Sequence, residues 1–395
     1  MSATLALVAI FWIGILCTAY AYAIFPALAT LLTSRRGKSG RTTLTTSQTV
    51  LVTVIIPAYN EEASLEGKIA NVLDTEYPSS LLDVLVVSDG STDRTNDIAR
   101  SFQSRGVRLL VQETRQGKTA GLNRALSVAR GEIVIFTDAN AAYQRATIGT
   151  LVRYFQHERV GLVSGYTAYT LTGTGEVAEA TNAYTSLERA IKRAESTWGC
   201  CVGADGAIFA MRKSLYRPLR DDDINDFVLP LSVISQGYRC LLAEDAWCSE
   251  NPGKSLESEF RRQSRITNRS LRAIGRHLHL LNPLRFPLFS FFLFSHKVAR
   301  FLAPVFLLAS GAALLVRAAA GEGRFQLLAV VLIVAALLVL ADAKGSSAGS
   351  RLHRSRLMRL LSFFLTMNLA MLHGWCKFLT GKTDVTWQHD RVLSR

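Results

Sequence analysis

The chain has 395 residues, of which 49% are apolar, and a formal net charge of +14 at neutral pH. This length suffices for one large domain together with membrane segments. The charge suits basic flanks beside a membrane, whereas nucleic-acid binding is disfavoured because no basic-aromatic stripe or zinc-finger spacing accompanies it. The six cysteines show no CxxC spacing, so reduced thiols in a cytosolic compartment are expected.

The first predicted element is an apolar span at residues 5–32, longer than the roughly 20 residues a bilayer requires. A signal peptide is disfavoured because the span is too long and lacks a basic start. Residues 34–41 are basic, and positive charge tends to stay on the cytoplasmic side. We therefore predict a transmembrane helix at residues 1–33, with the following domain in the cytoplasm.

An alternation of strands and helices follows from about residue 50 to residue 249. Buried parallel strands are predicted at residues 52–57, 83–88, 107–111 and 132–137. Helical spacing occupies residues 61–73, 91–104 and 117–129. This order predicts an α/β sandwich, residues 34–250, with its ligand chemistry at the carboxyl ends of the strands.

The last third combines amphipathic and apolar segments. A basic amphipathic stretch after Lys254 predicts interfacial helices within residues 251–297. Apolar runs near 298–316 and 325–341 predict a transmembrane pair spanning residues 298–341, followed by a basic cytoplasmic loop at residues 342–359. For residues 360–395, periodicity leaves open whether the apolar part at 360–379 spans the membrane, re-enters it or lies in the interface.

Two turns at predicted strand ends carry candidate donor-site residues. The turn PAYNE at 57–61 can hold a base and ribose, or can be an ordinary turn with Asn60 as a helix N-cap. In SDGSTD at 88–93, Asp89 is expected to point into the crevice while Ser91 or Asp93 caps the next helix. These readings leave Pro57, Tyr59, Glu61 and Asp89 as candidate donor contacts.

A diphosphate and a metal ion are expected at the next two helix and strand ends. GKTAGLN at 117–123 places Lys118 and free backbone N–H groups at a helix start, without P-loop spacing. DAN at 138–140 follows a buried strand, and its oxygens suit Mg²⁺ or Mn²⁺ completed by substrate phosphates. An Asx-turn is the alternative for Asp138 and Asn140.

These four motifs, in this order, resemble the family 2 glycosyltransferases of GT-A fold, a Rossmann-like nucleotide-diphospho-sugar transferase domain. The flanking apolar segments resemble the cellulose, chitin and hyaluronan synthase branch. The resemblance implies that Asp89 contacts the uridine of a UDP-sugar and that Asp138 and Asn140 hold the metal. Asn140 stands where many relatives carry a second aspartate, which predicts weaker metal affinity.

The acceptor side and the general base are also inferred by resemblance. Residues 203–212 resemble the acceptor-side strand and turn, where Gly206 allows close approach and Asp205 either binds sugar hydroxyls or supports the turn. Trp198 either stacks on a sugar or belongs to the core. Asp226, before a helix that ends in Gly-Tyr-Arg, matches the family's general base.

Two neighbouring acidic groups are assigned other roles. Residues 221–223 are expected to form a solvated loop. Asn225, directly before Asp226, stands where the family carries the first acid of its acidic pair. The rival acidic pair, Glu244 and Asp245, is expected to mark the end of a short strand.

The synthase branch carries a Gln-x-x-Arg-Trp segment that contacts the diphosphate and floors the acceptor site. The matching residues here are Arg262, Arg265 and Ile266. Arginine still suits a departing diphosphate, so Arg262 and Arg265 are candidate donor contacts. Loss of the indole removes a stacking platform for sugar and puts processive synthesis in doubt.

The resemblance therefore predicts an integral membrane hexosyltransferase with a cytoplasmic catalytic domain. It would transfer a sugar, with inversion and with Mg²⁺ or Mn²⁺, from a UDP-sugar to a glycan or lipid-linked acceptor, in extracellular polysaccharide synthesis. One alternative is single addition to a lipid-linked acceptor. A second is a non-catalytic nucleotide-sugar-binding component for export or regulation. Membrane lipids are expected partners, and nucleic acid is not.

Overall fold

A computed structural model describes residues 3–35, 50–169, 176–250, 256–344 and 356–383. Most of the basic run at 34–41 and of the basic loop at 342–359 lies outside these ranges.

Eight strands form one mixed sheet in the described part of the chain. Their order across the sheet is β3-β2-β1-β4-β7-β6-β8-β5. The strands are β1 (Val52–Ala58), β2 (Leu82–Asp89), β3 (Arg108–Gln112), β4 (Ile133–Thr137), β5 (Ala142–Tyr143), β6 (Val160–Tyr169), β7 (Ile208–Arg212) and β8 (Arg239–Glu250).

The first four strands are parallel, as predicted, and their ends differ from the prediction by no more than a residue or so. Val54 of β1 pairs with Val84 of β2 on one side and with Ile135 of β4 on the other. Strands β1, β2 and β4 are buried on both faces, which explains their apolar runs, whereas β3 is half-buried along most of its length. Because parallel strands share one carboxyl edge, the predicted donor-site turns all lie at that edge.

The other half of the sheet is less regular. Strand β7 is antiparallel to both β4 and β6, and β6 is parallel to β8 with two register shifts. Glu244 and Asp245 lie inside β8, so the prediction that they end a short strand is wrong. Their side chains pair with Arg193 and Arg153, which allows charged residues in the middle of a strand.

The helices of the described chain surround the sheet and extend beyond it. They are α1 (Ala3–Ala19), α2 (Phe25–Arg35), α3 (Leu65–Leu73), α4 (Thr95–Ser101), α5 (Lys118–Val128), α6 (Thr147–Arg153), α7 (Glu176–Thr197), α8 (Asn225–Ser235), α9 (Leu256–Arg276), α10 (Pro287–Leu293), α11 (Ala299–Ala319), α12 (Gly323–Lys344) and α13 (Arg356–Leu379). Short π-helical turns join α1 to α2 and α10 to α11.

Two of the described helical stretches are long and apolar enough to cross a membrane: Thr4–Thr33, with 30 residues, and Pro287–Ala319, with 33 residues. The second begins at Pro287, inside the stretch that was predicted to be interfacial. The two stretches pack so closely that a Cβ added to Gly14 would lie 2.1 Å from Ser310 Oγ. Residues 323–333 of α12 form a shorter apolar helix.

Buried ion pairs join the sheet domain to the second apolar stretch. His296, fully buried, lies 2.6 Å from Glu195 and 3.0 Å from Glu188, and both glutamates belong to α7. Arg300 of α11 also pairs with Glu188. Helix α13 packs along α9, where Ser264 Oγ lies 3.2 Å from His373 Nδ1. The sheet domain and the apolar helices are therefore directly connected through α7 and α9.

Candidate functional site

The predicted site residues converge at the carboxyl edge of β1, β2 and β4. Asp89 ends β2, Asp138 directly follows β4, and Lys118 begins α5. Asp226 lies in the first turn of α8, which reaches the same edge through contact with Gly206. The structure thus brings together the carboxylates and the lysine that the sequence predicted to cooperate.

Asp89 is buried and has both oxygens occupied. Its carboxylate accepts hydrogen bonds from Gln116 N at 2.7 Å, Gly117 N at 2.9 Å and Gln112 Nε2 at 3.1 Å. Gly90 has φ +67°, and a Cβ there would lie 2.9 Å from Arg115 N, so only glycine fits the close approach of this loop. Asp89 therefore holds the loop that leads into α5, rather than extending free into the crevice as expected.

The first two strand-end turns are bonded to each other. Asn60, with φ +53°, accepts a hydrogen bond from Thr92 N at 2.8 Å, and its own N–H donates to Ser91 Oγ. Asp93 accepts from Thr95 N at 3.0 Å, so it bonds to the first residue of α4, although Arg94 and not Asp93 occupies the N-cap position. The two turns form a single rigid rim of the crevice.

The three candidate donor contacts of the first turn differ in accessibility. Glu61 is buried and accepts a hydrogen bond from Ser64 Oγ at 2.5 Å, so it supports the start of α3. The ring of Tyr59 lies 3.7 Å from the Arg115 guanidinium, and Pro57 is half-buried near the end of β1. Tyr59 and its arginine neighbour form the more accessible part of this turn.

Asp138 pairs with Lys118, whose Nζ lies 2.6 Å from Asp138 Oδ1. Both side chains are 30% exposed, so the pair faces the crevice. Within the described residues, no group donates a hydrogen bond to Asp138 Oδ2. Asn140 is exposed two residues later.

Lys68, a buried residue that no sequence motif marks, contacts the turn that follows Asp138 and Asn140. Its Nζ donates to Ala141 O at 2.5 Å and lies 3.7 Å from the centre of the Tyr143 ring. Burial lowers the pKa of Lys68 to about 7, although Cys248 and Asp138 act in the opposite direction. The signal was available, because Lys68 shares the apolar face of α3 with Leu65 and Val72.

Glu250 at the end of β8 is the second missed residue. Burial and the nearby charges of Asp138 and Asp205 together raise its pKa to about 8, against the opposing charges of Arg262 and Lys118. The predicted Arg262 thus lies within electrostatic range of the crevice acids. No motif marks Glu250, because Glu244 and Asp245 interrupt the apolar pattern of β8 and hide the true end of the strand.

Asp226 has an environment opposite to that of Asp89. Its backbone carbonyl accepts from Ala204 N at 2.7 Å, whereas its carboxylate accepts no hydrogen bond from any residue that the structure describes. A Cβ on Gly206 would lie 2.8 Å from Asp226 Oδ2, so glycine makes the room for this carboxylate. Burial raises the pKa of Asp226, Lys118 and Lys192 lower it, and Asp138 and Asp205 add to the rise.

The remaining acceptor-side candidates have supporting contacts. Asp205 accepts hydrogen bonds from Thr167 N at 2.9 Å and from Thr167 Oγ1 at 2.8 Å, which favours its turn-supporting role. Trp198 is half-buried against the core cluster, which favours a core role over sugar stacking. Of the three predicted acceptor contacts, Gly206 lies directly against Asp226, the predicted general base.

Residues 221–223, hereafter the acid loop, are not the solvated loop that was predicted. Asp223 is 5% exposed, and Asp222 and Asp223 pair with Arg276 of α9. Only Asp221 is exposed. The partners lie some fifty residues later in the chain, which is why local sequence could not reveal them.

The candidate donor contacts Arg262 and Arg265 lie on α9, and the charge of Arg262 acts on Glu250 at the crevice. Arg262 is 52% exposed and lies 3.4 Å from Glu259, and Arg265 is half-buried one turn later. Ile266, at the position of the synthase tryptophan, is half-buried.

Among the described residues, no group of three His, Cys, Asp or Glu side chains could hold a metal ion. A cation at Asp138 and Asn140 would therefore take most of its ligands from a substrate diphosphate and water, as Mg²⁺ commonly does. The free Oδ2 of Asp138 and the exposed Asn140 fit such a partial donor set.

Comparisons with known proteins agree with this geometry. Residues 53–219 match the model of glycosyl transferase family 2. The chain is 31% identical over 145 residues to glycosyltransferase AglE of Haloferax volcanii, covering 36% of this chain and 48% of that protein. It is 24% identical over 208 residues to poly-beta-1,6-N-acetyl-D-glucosamine synthase of Staphylococcus aureus, covering 50% of this chain and 49% of that one.

The matched part thus spans about half the length of these curated relatives. Among solved structures, mannosyltransferase PcManGT from Pyrobaculum calidifontis, in complex with GDP-Man and Mn²⁺, superposes with a TM-score of 0.70 at 24% identity. The superposition covers 94% of this chain and 99% of that one. The similarity confirms the predicted GT-A-like α/β fold of nucleotide-sugar transferases.

Proposed function

We propose, from the premise that residues 53–219 are a family 2 glycosyltransferase domain, that the enzyme transfers a sugar from a UDP-sugar to a glycan or lipid-linked acceptor. Transfer inverts the anomeric carbon, requires a divalent cation and takes place at the cytoplasmic face of a membrane. This transfer is a step in the synthesis of an extracellular polysaccharide.

The placement of Asp226 carries this proposal. Its carboxylate accepts no hydrogen bond from the described residues and lies against Gly206, across from the Lys118–Asp138 pair that affects its pKa. A partly desolvated carboxylate with a raised pKa is a stronger base than a fully solvated one. Asp226 removes the proton from the acceptor hydroxyl while that oxygen attacks the anomeric carbon in line. The bond between the anomeric carbon and the diphosphate oxygen breaks, and the nucleoside diphosphate departs.

Cationic side chains balance the charge of the leaving group. Lys118 begins α5 beside free backbone N–H groups, and Arg262 and Arg265 approach from α9. Asp138 and Asn140 would hold Mg²⁺ or Mn²⁺ at the diphosphate, where the cation supplies further charge stabilisation. Asp89 contributes by holding the loop that presents Lys118.

Membrane integration rests on the two long apolar stretches. Large side chains such as Trp12 (55% exposed), Leu16 (59%) and Leu308 (55%) face outward from them, as lipid-facing residues do. The site lies at the end of the sheet domain that α9 joins to these helices, so we place the reaction at the membrane surface. Helix α9, with its basic and apolar faces, lies in the interface.

Single addition to a lipid-linked acceptor is the second candidate function, favoured by Ile266. An aliphatic side chain at the position of the synthase tryptophan gives no flat platform for a growing glycan. The length of the product separates single addition from polymer synthesis.

Nucleotide release in nanodiscs tests the proposal. The purified protein is incubated with a panel of UDP-sugars and with GDP-mannose, in Mn²⁺, Mg²⁺ or chelator, and the product is measured by mass spectrometry. We expect metal-dependent release of UDP together with a glycosylated acceptor. Nucleotide-sugar binding without release for every donor would instead support a non-catalytic binding component.

A further inference from the structure

We propose that Arg269 and Arg276 of α9 are positioning residues for the general base. They hold the acid loop, residues 221–223, which ends three residues before Asp226. This inference rests on the proposed role of Asp226. We call the two arginines and the acid loop the arginine clasp.

Arg269 fixes the backbone of the acid loop. Its guanidinium donates to the carbonyl oxygen of Asp222 at 2.9 Å, to that of Asp221 at 3.1 Å, and to that of Asp223. One planar group thus binds three successive carbonyls, a geometry that a lysine cannot reproduce.

Arg276, two turns later on α9, fixes the side chains. Its Nη1 lies 3.0 Å from Asp222 Oδ2, and its Nη2 pairs with Asp223 Oδ1. The arginine side chain is 23% exposed and that of Asp223 only 6%, so solvent screens these pairs weakly. The second oxygen of Asp223 accepts from Arg220 N at 2.8 Å.

The acid loop also contacts the donor side of the crevice. Thr119 Oγ1 donates to Asp223 O at 3.2 Å, and Thr119 follows Lys118 at the start of α5. On its other side, Ile224 O accepts the first backbone hydrogen bond of α8, from Val228 N at 2.8 Å. A shift of the acid loop would therefore move the start of α8, where Asp226 lies, relative to Lys118.

The far side of α9 is held by α13 and by the turn that follows it. Asn268 Nδ2 donates to Lys382 O at 2.8 Å, and Arg272 bonds to Asn268 and to the same carbonyl. A Cβ on Gly374 would lie 2.8 Å from Ser264 O, so α13 and α9 are in close contact. The clasp thus connects the membrane-side helices to the base through one short loop.

The test compares three variants on the full-length protein in nanodiscs: Arg276→Gln, Asp222→Asn and the double variant. We expect kcat to fall about 10- to 100-fold in Arg276→Gln, the effect of displacing a catalytic group by about 1 Å. The donor KM and the UDP dissociation constant should stay within twofold. Asp222→Asn, a milder change at a partly exposed residue, should lower kcat less. The double variant should be no worse than Arg276→Gln, because both act through one contact.

Arg276→Lys, which keeps the charge, should recover part of the lost kcat. Arg261→Gln, at a residue of the same helix whose side chain is 57% exposed, is the matched control and should keep kcat within twofold of the wild type. Wild-type kcat in both Arg276→Gln and Asp222→Asn, beside an inactive Asp226→Asn, overturns the clasp alone. Equal loss of kcat and of UDP binding also overturns it, because Arg276 would then support the whole fold. Normal turnover in Asp226→Asn overturns the base assignment and the clasp with it.

Discussion

The sheet has a donor half, β1 to β4, and an acceptor half, β5 to β8 with α8. The two halves differ in the hydrogen bonds that their key carboxylates accept. Asp89 in the donor half is buried and accepts three hydrogen bonds, two of them from backbone N–H groups. Asp226 in the acceptor half is half-buried against Gly206, and no described group donates to its carboxylate. A carboxylate with occupied oxygens determines the shape of a loop, whereas one with unoccupied oxygens is available to take a proton.

The two halves also differ in how they connect to the rest of the molecule. The donor-half turns bond mainly to one another, as Asn60 does with Thr92. The acceptor half is joined to the second apolar stretch by the buried contacts of Glu195 with His296 and Glu188 with Arg300, and to α9 by the pair of Asp223 with Arg276. The donor-half turns are therefore positioned largely by one another, whereas the acceptor half is positioned in part by helices outside the sheet domain.

The largest effect is expected from Asp226→Asn. Removing the base should lower transfer about 10²- to 10⁴-fold, the range that general base catalysis contributes. Nucleotide binding should be nearly unchanged, because the donor-half turns remain intact. Nucleotide release and calorimetric UDP titration measure the two quantities, and a transfer rate near that of the wild type would exclude Asp226 as the base.

A smaller effect is expected from Asp89→Asn, which should lower stability and nucleotide binding where Asp226→Asn lowers turnover. The amide presents an NH₂ group to backbone donors, and each hydrogen bond to a charged acceptor contributes about 1.5–3 kcal/mol. The free energy of unfolding should therefore fall by about 2 kcal/mol, and UDP should bind more weakly. Thermal unfolding and UDP titration check this, with the exposed Asp97→Asn as the control. Unchanged stability would mean that Asp89 does not hold the loop.

Gly206→Ala should affect the base without affecting the donor half. The new Cβ would lie 2.8 Å from Asp226 Oδ2 and displace the carboxylate. We expect a fall in kcat of about 10-fold, since small displacements of catalytic groups are costly, with donor KM unchanged. Gly67→Ala, where a Cβ meets nothing within 4 Å, is the control. An equal change in both variants would contradict the contact.

The smallest effect is expected from Glu244→Gln, at the rival acidic pair. Glu244 is 42% exposed and pairs with Arg193 at 2.5 Å, and exposed pairs contribute about 0–1 kcal/mol. Turnover should stay within twofold of the wild type. Loss of transfer comparable to that of Asp226→Asn would move the base assignment to β8.

The donor half could be predicted from the sequence because its signals are local. Strands β1, β2 and β4 are continuous apolar runs, and Asp89 and Asp138 stand directly at their ends. In this half, local sequence did not predict the direction of the Asp89 side chain. Whether Asp89 faces the crevice or the loop depends on backbone N–H groups that lie more than twenty residues later.

The acceptor half could be predicted only in part because its polar residues find partners far along the chain. Glu244 and Asp245 interrupt the pattern of β8, and their arginines lie on α7 and α6. The acid loop looks solvated until Arg276, more than fifty residues later, is placed beside it. Helix α7 was not predicted, although its Glu188 and Glu195 join the domain to the second apolar stretch.

Thermal unfolding of Asp226→Asn tests whether the Asp226 carboxylate, which accepts no hydrogen bond from the described residues, is kept for its chemistry rather than for stability. Burial raises the folded pKa of Asp226 above its unfolded value, so its charged form costs stability as pH rises through the folded pKa. We predict that the variant unfolds at a higher temperature than the wild type at neutral pH, and that this difference shrinks as pH falls. A variant that is less stable at neutral pH would show that the carboxylate accepts stabilising hydrogen bonds, as Asp89 does, and would contradict the account.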